Sequence, residues 1–448
     1  MTESHLIAKY DRPVPRYTSY PTAPHFHAGV DGTVFAGWLA ALPEGEPLSL
    51  YIHVPFCRQM CWYCGCNTQI VARYQPIADF VATLLNEIEM LGRQLAAGGV
   101  SGRRPVTSVH FGGGTPNSLG ADDFRRIMMA LDHVFALAPD LELALELDPR
   151  SLAPDFLAAM RESGVSRVSL GVQDFDPAVQ QAINRVQPYE LVARAVADLR
   201  LAGVRAINLD LIYGLPGQTT AGIARTAGLA AGLAPERVAL FGYAHVPWMK
   251  PHQRLIDADS LPDAAARAEQ FAIAADVLSM NGYRQIGLDH FATAEDSLTL
   301  ALDAGTLRRN FQGYTTDRAA CVLGLGPSAI SSLPQGYAQN QPDHTPWARS
   351  VNAGRFATVK GIALTADDRY RRALIDQIMC FGAADLTTLP LNATGELARL
   401  APMIADGLVR LESGQLTVTS LGAPFRRVVA AAFDAYLKPE SQRHSRAV

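Results

Sequence analysis

From residue 48 onward, short apolar runs alternate with longer amphipathic stretches. The runs cover residues 48–54, 106–111, 141–147, 167–172, 206–212 and 237–244. Each has the length of a strand, and the segments between them, such as 77–91 and 121–135, have the apolar spacing of helices. Strands separated by helices predict parallel βα units, hence an α/β barrel or a doubly wound sheet. Polar and glycine residues gather where the runs end: Gly112-Gly113-Gly114-Thr115-Pro116, Glu146, Gln173-Asp174, Asp210, Gly214 and His245. In a βα barrel those positions form the C-terminal face, where active sites are built.

The flanks lack this rhythm. Residues 1–45 read as an irregular arm, with Pro15-Arg16-Tyr17-Thr18-Ser19-Tyr20-Pro21-Thr22 too rich in proline and aromatic residues for a helix interior. Beyond residue 250 a helix is expected over 261–280. A polar stretch follows through Asp289-His290-Phe291, then a dense loop from Arg308 to Thr316. From about Thr365 the chain turns helical again, with a hairpin over 408–419 and a last helix. The expected division is an N-terminal arm or lid at 1–45, a catalytic barrel with its extension at 46–350, and a mainly helical C-terminal domain with a small β wing at 351–448. No internal repeat stands out beyond the βα period.

Composition narrows the class. With 448 residues, 48% of them hydrophobic, the chain has ample material for a large core. A net charge of −4 gives no reason to expect a nucleic-acid or acidic-membrane partner. No 18-residue apolar run and no apolar signal core are present, so a cytoplasmic protein is expected. Nothing suggests an obligate interface, and a monomer is expected. Of six cysteines, four fall within ten residues, which suits metal ligation in a reducing compartment better than a disulfide framework.

Those four lie in Cys57-Arg-Gln-Met-Cys61-Trp-Tyr-Cys64-Gly-Cys66. Three thiolates so close on a loop point to an iron–sulfur cluster or to zinc. Zinc asks for a fourth ligand; Cys66 is available, but one intervening residue makes a cramped bite. Three cysteines on a four-iron cluster would leave one iron open to a small molecule. The glycine run at 112–114 is either a tight turn or a place where backbone approaches a ligand. Glu146 and Asp210 are either caps and salt-bridge partners or carboxylates facing ribose hydroxyls or an ammonium group. Gln173 and Arg185 suit a carboxylate. His53 reads as a packed core histidine, and Cys321 and Cys380 as small buried hydrophobes. His245 and His290 are further candidates for a site.

The Cys-x-x-x-Cys-x-x-Cys spacing, with Tyr63 before the third cysteine and the loop placed after the first strand, resembles the signature of the radical S-adenosylmethionine superfamily. Further segments resemble the oxygen-independent coproporphyrinogen III oxidases. They include Pro15–Thr22, Tyr63-Cys-Gly-Cys-Asn67, Glu146-Leu-Asp-Pro-Arg150, Gly171-Val-Gln-Asp-Phe175, Tyr243-Ala-His245 and Arg309-Asn-Phe-Gln-Gly-Tyr-Thr-Thr316. The likeness runs in order to residue 316 and weakens beyond. Two departures are Val14, where the family usually has glycine, and Met379-Cys-Phe-Gly-Ala383, where it typically carries Cys-Asn-Phe.

The resemblance implies a partial (β/α)6 barrel and one 4Fe-4S cluster on Cys57, Cys61 and Cys64, with Cys66 not a ligand. It implies two S-adenosylmethionine molecules: one near Tyr51, Gly113 and Glu146, the other near Tyr63, Gly114, Thr115, Gln173, Arg185, Asp210, Ala244 and Ile330. The implied substrate is coproporphyrinogen III, whose ring A and B propionates become vinyl groups in haem biosynthesis. An electron donor such as flavodoxin or ferredoxin is implied too. Arg16, Tyr17 and Arg309 are candidate substrate contacts, with Lys250 and Arg308 also within the candidate mouth segments; for those last two a solvated surface charge is the plainer reading. Alternatives are a haem-modifying enzyme of the same superfamily, a haem chaperone that keeps the cluster, and a zinc-binding module.

Overall fold

The computed structural model describes residues 3–97, 103–387 and 394–437; residues 1–2 of the expected arm and 438–448 of the expected C-terminal domain lie outside the described residues. Six strands carry the barrel: β1 Leu48–Val54, β2 Pro105–Gly113, β3 Ala136–Leu147, β4 Arg167–Gln173, β5 Ala206–Tyr213 and β6 Arg237–Gly242. They pair in chain order and in parallel throughout. The cause is legible in the residues. β1 buries six of its seven residues, as a strand covered on both faces does. The helix Gln75–Ala97 buries Ile77, Phe80, Val81, Leu84, Ile88 and Leu91, a stripe at helical spacing that lies on the sheet. Each such side chain contributes about 1.5–3 kcal/mol by leaving water.

The expected α/β barrel is therefore the observed fold, but it is the centre of a larger sheet. Cys321–Leu325 joins β1 in parallel. His290–Ala292 joins β6 antiparallel, and among the described residues the sheet has twelve strands. On the β1 side it continues antiparallel through Ile330–Leu333, Gly336–Asn340 and Thr358–Ala363. This wing has no counterpart in the sequence pattern, because its short strands mix polar residues and glycine and gain their burial from neighbours distant in sequence.

The arm, expected to be irregular from its prolines, is partly ordered. Glu3–Tyr10 and Gly32–Ala40 are helices. Leu6 and Tyr10 are buried in a second apolar cluster with Ile375, Ile378, Leu400 and Val428. Asp31 caps the other helix, its Oδ1 accepting from the Thr33 and Val34 amides at 2.9 and 3.0 Å. Helices this short are stabilised mainly by packing, which local sequence does not display.

The C-terminal helix Ala366–Phe381 opens with a capping box between Thr365 and Asp368 and stops at Gly382, whose φ of 67° suits glycine. The expected hairpin is present as Val409–Glu412 and Gln415–Val418, with Ala383–Asp385 added as a third strand. Among the described residues the last helix is Arg426–Ala431.

Candidate active site

β1 delivers the cysteine loop to the C-terminal end of the barrel, and several long-range bonds hold it there. The Gln69 amide donates to Pro55 O at 2.7 Å and Val71 to Cys57 O at 3.1 Å. Asn184 Nδ2 donates to Met60 O at 2.7 Å, and the Trp62 amide to Ile183 O at 3.0 Å. From the segment after β6, Lys250 Nζ donates to Cys66 O at 2.8 Å, His252 to Cys64 O at 2.7 Å, and Gln253 Nε2 to Tyr63 O at 2.9 Å. Lys250 is thus a loop anchor rather than the solvated charge its sequence suggests. Gln253, which carried no signal in the sequence, also donates to Ala244 O at 3.3 Å and so ties two candidate cofactor contacts together.

Each of the three thiols is met by donors. Thr68 Oγ1 donates to Cys57 Sγ at 3.2 Å, and Thr115 Oγ1 lies 3.3 Å from the same sulfur. Arg185 Nη1 and Arg150 Nη2 reach Cys61 Sγ at 3.4 and 3.6 Å. The Cys66 amide donates to Cys64 Sγ at 3.4 Å. Burial raises the Cys57 thiol, with the Thr115 and Thr68 hydroxyls pulling against it. The Cys64 thiol is lowered, chiefly by hydrogen bonding from Cys66. Sulfurs ringed by donors suit thiolates that carry metal. Zinc asks for a fourth ligand, whereas three cysteines would suffice for a four-iron cluster with one iron left open.

Facing the loop is a polar chain across β1 to β5. The Tyr51 hydroxyl donates to His53 Nδ1 at 3.1 Å, and His53 Nε2 to Asn67 O at 2.8 Å, so His53 is the hydrogen-bonded core residue its sequence position suggests. Tyr51 stacks on His110, which donates to Glu146 Oε1 at 3.0 Å. The Gly113 amide donates to Glu146 Oε2 at 3.2 Å. Burial alone would raise Glu146, but the bond and charge of His110 together with the Gly113 amide hold it below the ordinary carboxylate range. Asp210 accepts from Ser169 and Asn208 at 2.8 and 2.7 Å, and burial pushes it up to about 6. Both carboxylates line a cavity of about 250 Å3 inside the barrel.

The glycines are there for close approach. Gly113 has a φ of 110°, and a Cβ on it would fall 2.6 Å from the His53 ring. A Cβ on Gly114 would fall 2.6 Å from Phe56 O and from Thr68 Oγ1. Gly114→Ala is expected to displace the cysteine loop and lower stability by about 1–3 kcal/mol. Iron content after anaerobic reconstitution and the denaturation midpoint check this; wild-type values for both would refute it.

Other candidates are spread more widely. Gln173 is buried at a left-handed φ of 71°, and a Cβ on Gly171 would fall 2.8 Å from its Nε2 and 2.9 Å from Arg185 Nη2. Tyr63 packs with Trp62, Ile212 and Tyr243. Ile330 packs with Phe26, Tyr337 and Ile362, a cluster that holds none of the other cofactor candidates. Arg309 is 8% exposed, lies over the Tyr314 ring and donates to Arg16 O at 3.4 Å, while its Nε and Nη1 have no hydrogen-bond partner among the described residues. Arg16 donates to Gly242 O at 3.0 Å. Tyr17 is turned inward, and its hydroxyl donates to Asp434 at 3.0 Å. Arg308 is exposed. His290 donates to Asp289 at 2.8 Å and lines the same cavity, and the Tyr243 hydroxyl lies 2.9 Å from His245. Cys321 and Cys380 are buried.

Comparison with known proteins decides the family. Residues 51–230 match the radical SAM superfamily model. An oxygen-independent coproporphyrinogen III oxidase of Bradyrhizobium diazoefficiens is 50% identical over 443 residues, covering 97% of each chain. The chain belongs to the oxygen-independent coproporphyrinogen III oxidase family. Its relative in Pseudomonas aeruginosa is 41% identical across all of this chain and 98% of its own. The solved coproporphyrinogen III oxidase (HemN) from Escherichia coli, described as a radical SAM enzyme, superposes with a TM-score of 0.89 at 36% identity, covering 95% of this chain and all of that one. Membership in this oxidase family implies a 4Fe-4S cluster and S-adenosylmethionine. Likeness to the oxidases extends through the C-terminal part, where the sequence motifs had faded.

Proposed function

We propose that the chain converts the ring A and B propionates of coproporphyrinogen III to vinyl groups without oxygen, giving protoporphyrinogen IX in haem biosynthesis. The observation that carries the reading is the donor-ringed cysteine loop at the barrel mouth, in a chain whose near-full-length relatives carry that oxidase name. Cys57, Cys61 and Cys64 would hold the cluster. Bound together there, the cluster and S-adenosylmethionine would supply the one-electron chemistry that removes a hydrogen from the propionate β-carbon. Each propionate would then lose carbon dioxide, with one further electron passing to an external one-electron acceptor.

The chain's own residues bind and orient. Glu146, kept ionised, accepts from the ammonium group of a first S-adenosylmethionine, beside Tyr51 and Gly113. Asp210 suits ribose hydroxyls of a second, while Gln173 and Arg185 suit its carboxylate; Tyr63, Gly114, Thr115, Ala244 and Ile330 complete its proposed surroundings. Arg309, with two buried N–H groups free to donate, and Arg16 beside it suit propionates that stay intact. Tyr17 pins the arm through Asp434 rather than meeting substrate. We assign the arm 1–45 the role of a lid on the barrel, with the helical unit from 351 onward holding it. A flavodoxin or ferredoxin as donor, a monomeric state and a cytoplasmic site complete the proposal. Among the described residues no helix is long and apolar enough to cross a membrane.

Anaerobic incubation with S-adenosylmethionine, a reductant and coproporphyrinogen III is expected to release carbon dioxide and form protoporphyrinogen IX. Deoxyadenosine formation indifferent to coproporphyrinogen, with no carbon dioxide released, would refute the assignment.

A further inference from the structure

The three cluster cysteines are not equivalently surrounded. Cys57 meets two hydroxyls and Cys64 a backbone amide, whereas Cys61 meets two guanidinium groups. Asp148 sets this up. Its Oδ2 accepts from Arg150 Nη2 at 2.6 Å and from Arg185 Nη1 at 3.4 Å, so one carboxylate holds both cations against the same sulfur. The carboxylate is itself fixed. Asp148 caps the turn Pro149–Ser151, its Oδ1 accepting from the Arg150 amide at 3.0 Å and from Arg150 Nε at 3.0 Å. Asn117 brackets the Asp148 backbone with two bonds of 3.0 Å. The arginine and aspartate side chains are only 16%, 12% and 8% exposed for Arg150, Asp148 and Arg185.

Two cations and one anion leave a net positive charge beside Cys61. Reducing the cluster adds a negative charge, and hydrogen bonds and charges at the sulfurs set how favourable that is. Poor solvent access keeps the interaction from being screened away. We infer that Asp148 and Arg150 form a charged clamp that, with Arg185, raises the reduction potential of the cluster through Cys61. Arg150 and Asp148 act here as positioning residues, distinct from the groups proposed to touch S-adenosylmethionine or substrate. The inference rests on the cluster assignment above.

The test is a redox titration of the anaerobically reconstituted full chain without S-adenosylmethionine, followed by the absorption and paramagnetic signal of the cluster, with iron measured in each sample. About four irons per wild-type chain would uphold the cluster assignment independently of the clamp. Arg150→Gln is expected to lower the reduced-to-oxidised ratio at a fixed potential about tenfold, which is about 59 mV for a one-electron couple. Arg150→Lys, which keeps the charge and loses the planar fork, should fall by less. Asp148→Asn, whose amide oxygen can still accept from both guanidiniums while the anion is gone, should move the ratio the opposite way. The clamp is overturned if Arg150→Gln titrates like wild type at full iron, or if Asp148→Asn shifts in the same direction as Arg150→Gln. Loss of iron from all three variants would make the trio a mere support of the loop and overturn it equally.

Discussion

Single replacement of Cys57, Cys61 or Cys64 by serine will leave the reconstituted chain without iron–sulfur absorption and without measurable carbon dioxide release from coproporphyrinogen III. Cys66→Ser will keep about four irons per chain. A hydroxyl does not supply the soft anionic ligand that iron–sulfur chemistry requires. With three ligands for four irons, no spare thiolate replaces a lost one. Cys66 differs because its backbone amide donates to Cys64 Sγ and its carbonyl is tied to Lys250, bonds that survive a side-chain exchange, while its thiol's own hydrogen bond to Cys64 can be kept by a serine hydroxyl. Iron analysis and absorption spectra of the four variants decide the matter. Iron loss in Cys66→Ser equal to that in the other three would show that the ligands have been miscounted.

The second large effect concerns stability. Glu87 lies on the helix Gln75–Ala97, 2% exposed, and serves three donors from other parts of the chain. Its Oε2 accepts from the Gly326 amide at 2.7 Å, and its Oε1 from Asn340 Nδ2 at 2.9 Å and Trp347 Nε1 at 3.2 Å. Glu87→Ala leaves three buried donors without an acceptor. At about 1–3 kcal/mol for each such group, combined less than additively, about 3–5 kcal/mol is expected. Denaturant midpoints measure it. The site should feel the loss, since Gly326 packs so tightly on β1 that a Cβ there would fall 2.6 Å from His53 O.

Glu87 also makes stability depend on pH. Burial raises its carboxyl to about 7, with the Gly326, Trp347 and Asn340 donors pulling it back. The folded chain thus holds the proton more tightly than the unfolded one, whose glutamates titrate near about 4.3. The contribution is complete below the unfolded range and is lost as pH rises through about 7. Glu87→Gln, neutral at every pH, should be destabilised less than Glu87→Ala and should flatten the slope of stability between those limits. A slope unchanged from wild type would sink this account.

Much of the site is legible in the chain alone. The cysteine spacing, the glycine turn and the carboxylates at strand ends are local features, and β1 to β5 place them where a βα barrel builds active sites. The residues that hold them were not readable. Lys250 and His252 resemble ordinary surface charges until they are found on the carbonyls of Cys66 and Cys64. Gln253 and Asn184 carried no signal at all. Arg150 was visible only as the end of the segment Glu146–Arg150; the structure gives it to Asp148 and Cys61.

The division follows from the range of the forces. Periodicity, capping and ligand spacing act within a few residues, so the chain by itself determined the βα series, the cysteine loop and the chemistry that loop suits. Pairings between distant segments depend on register and on which side chains meet in space, and one-dimensional pattern carries neither. Tertiary structure alone decided that the barrel sits within a twelve-stranded sheet. It alone decided that Glu87 anchors the turn at Gly326, and that two guanidiniums converge on one cysteine of three.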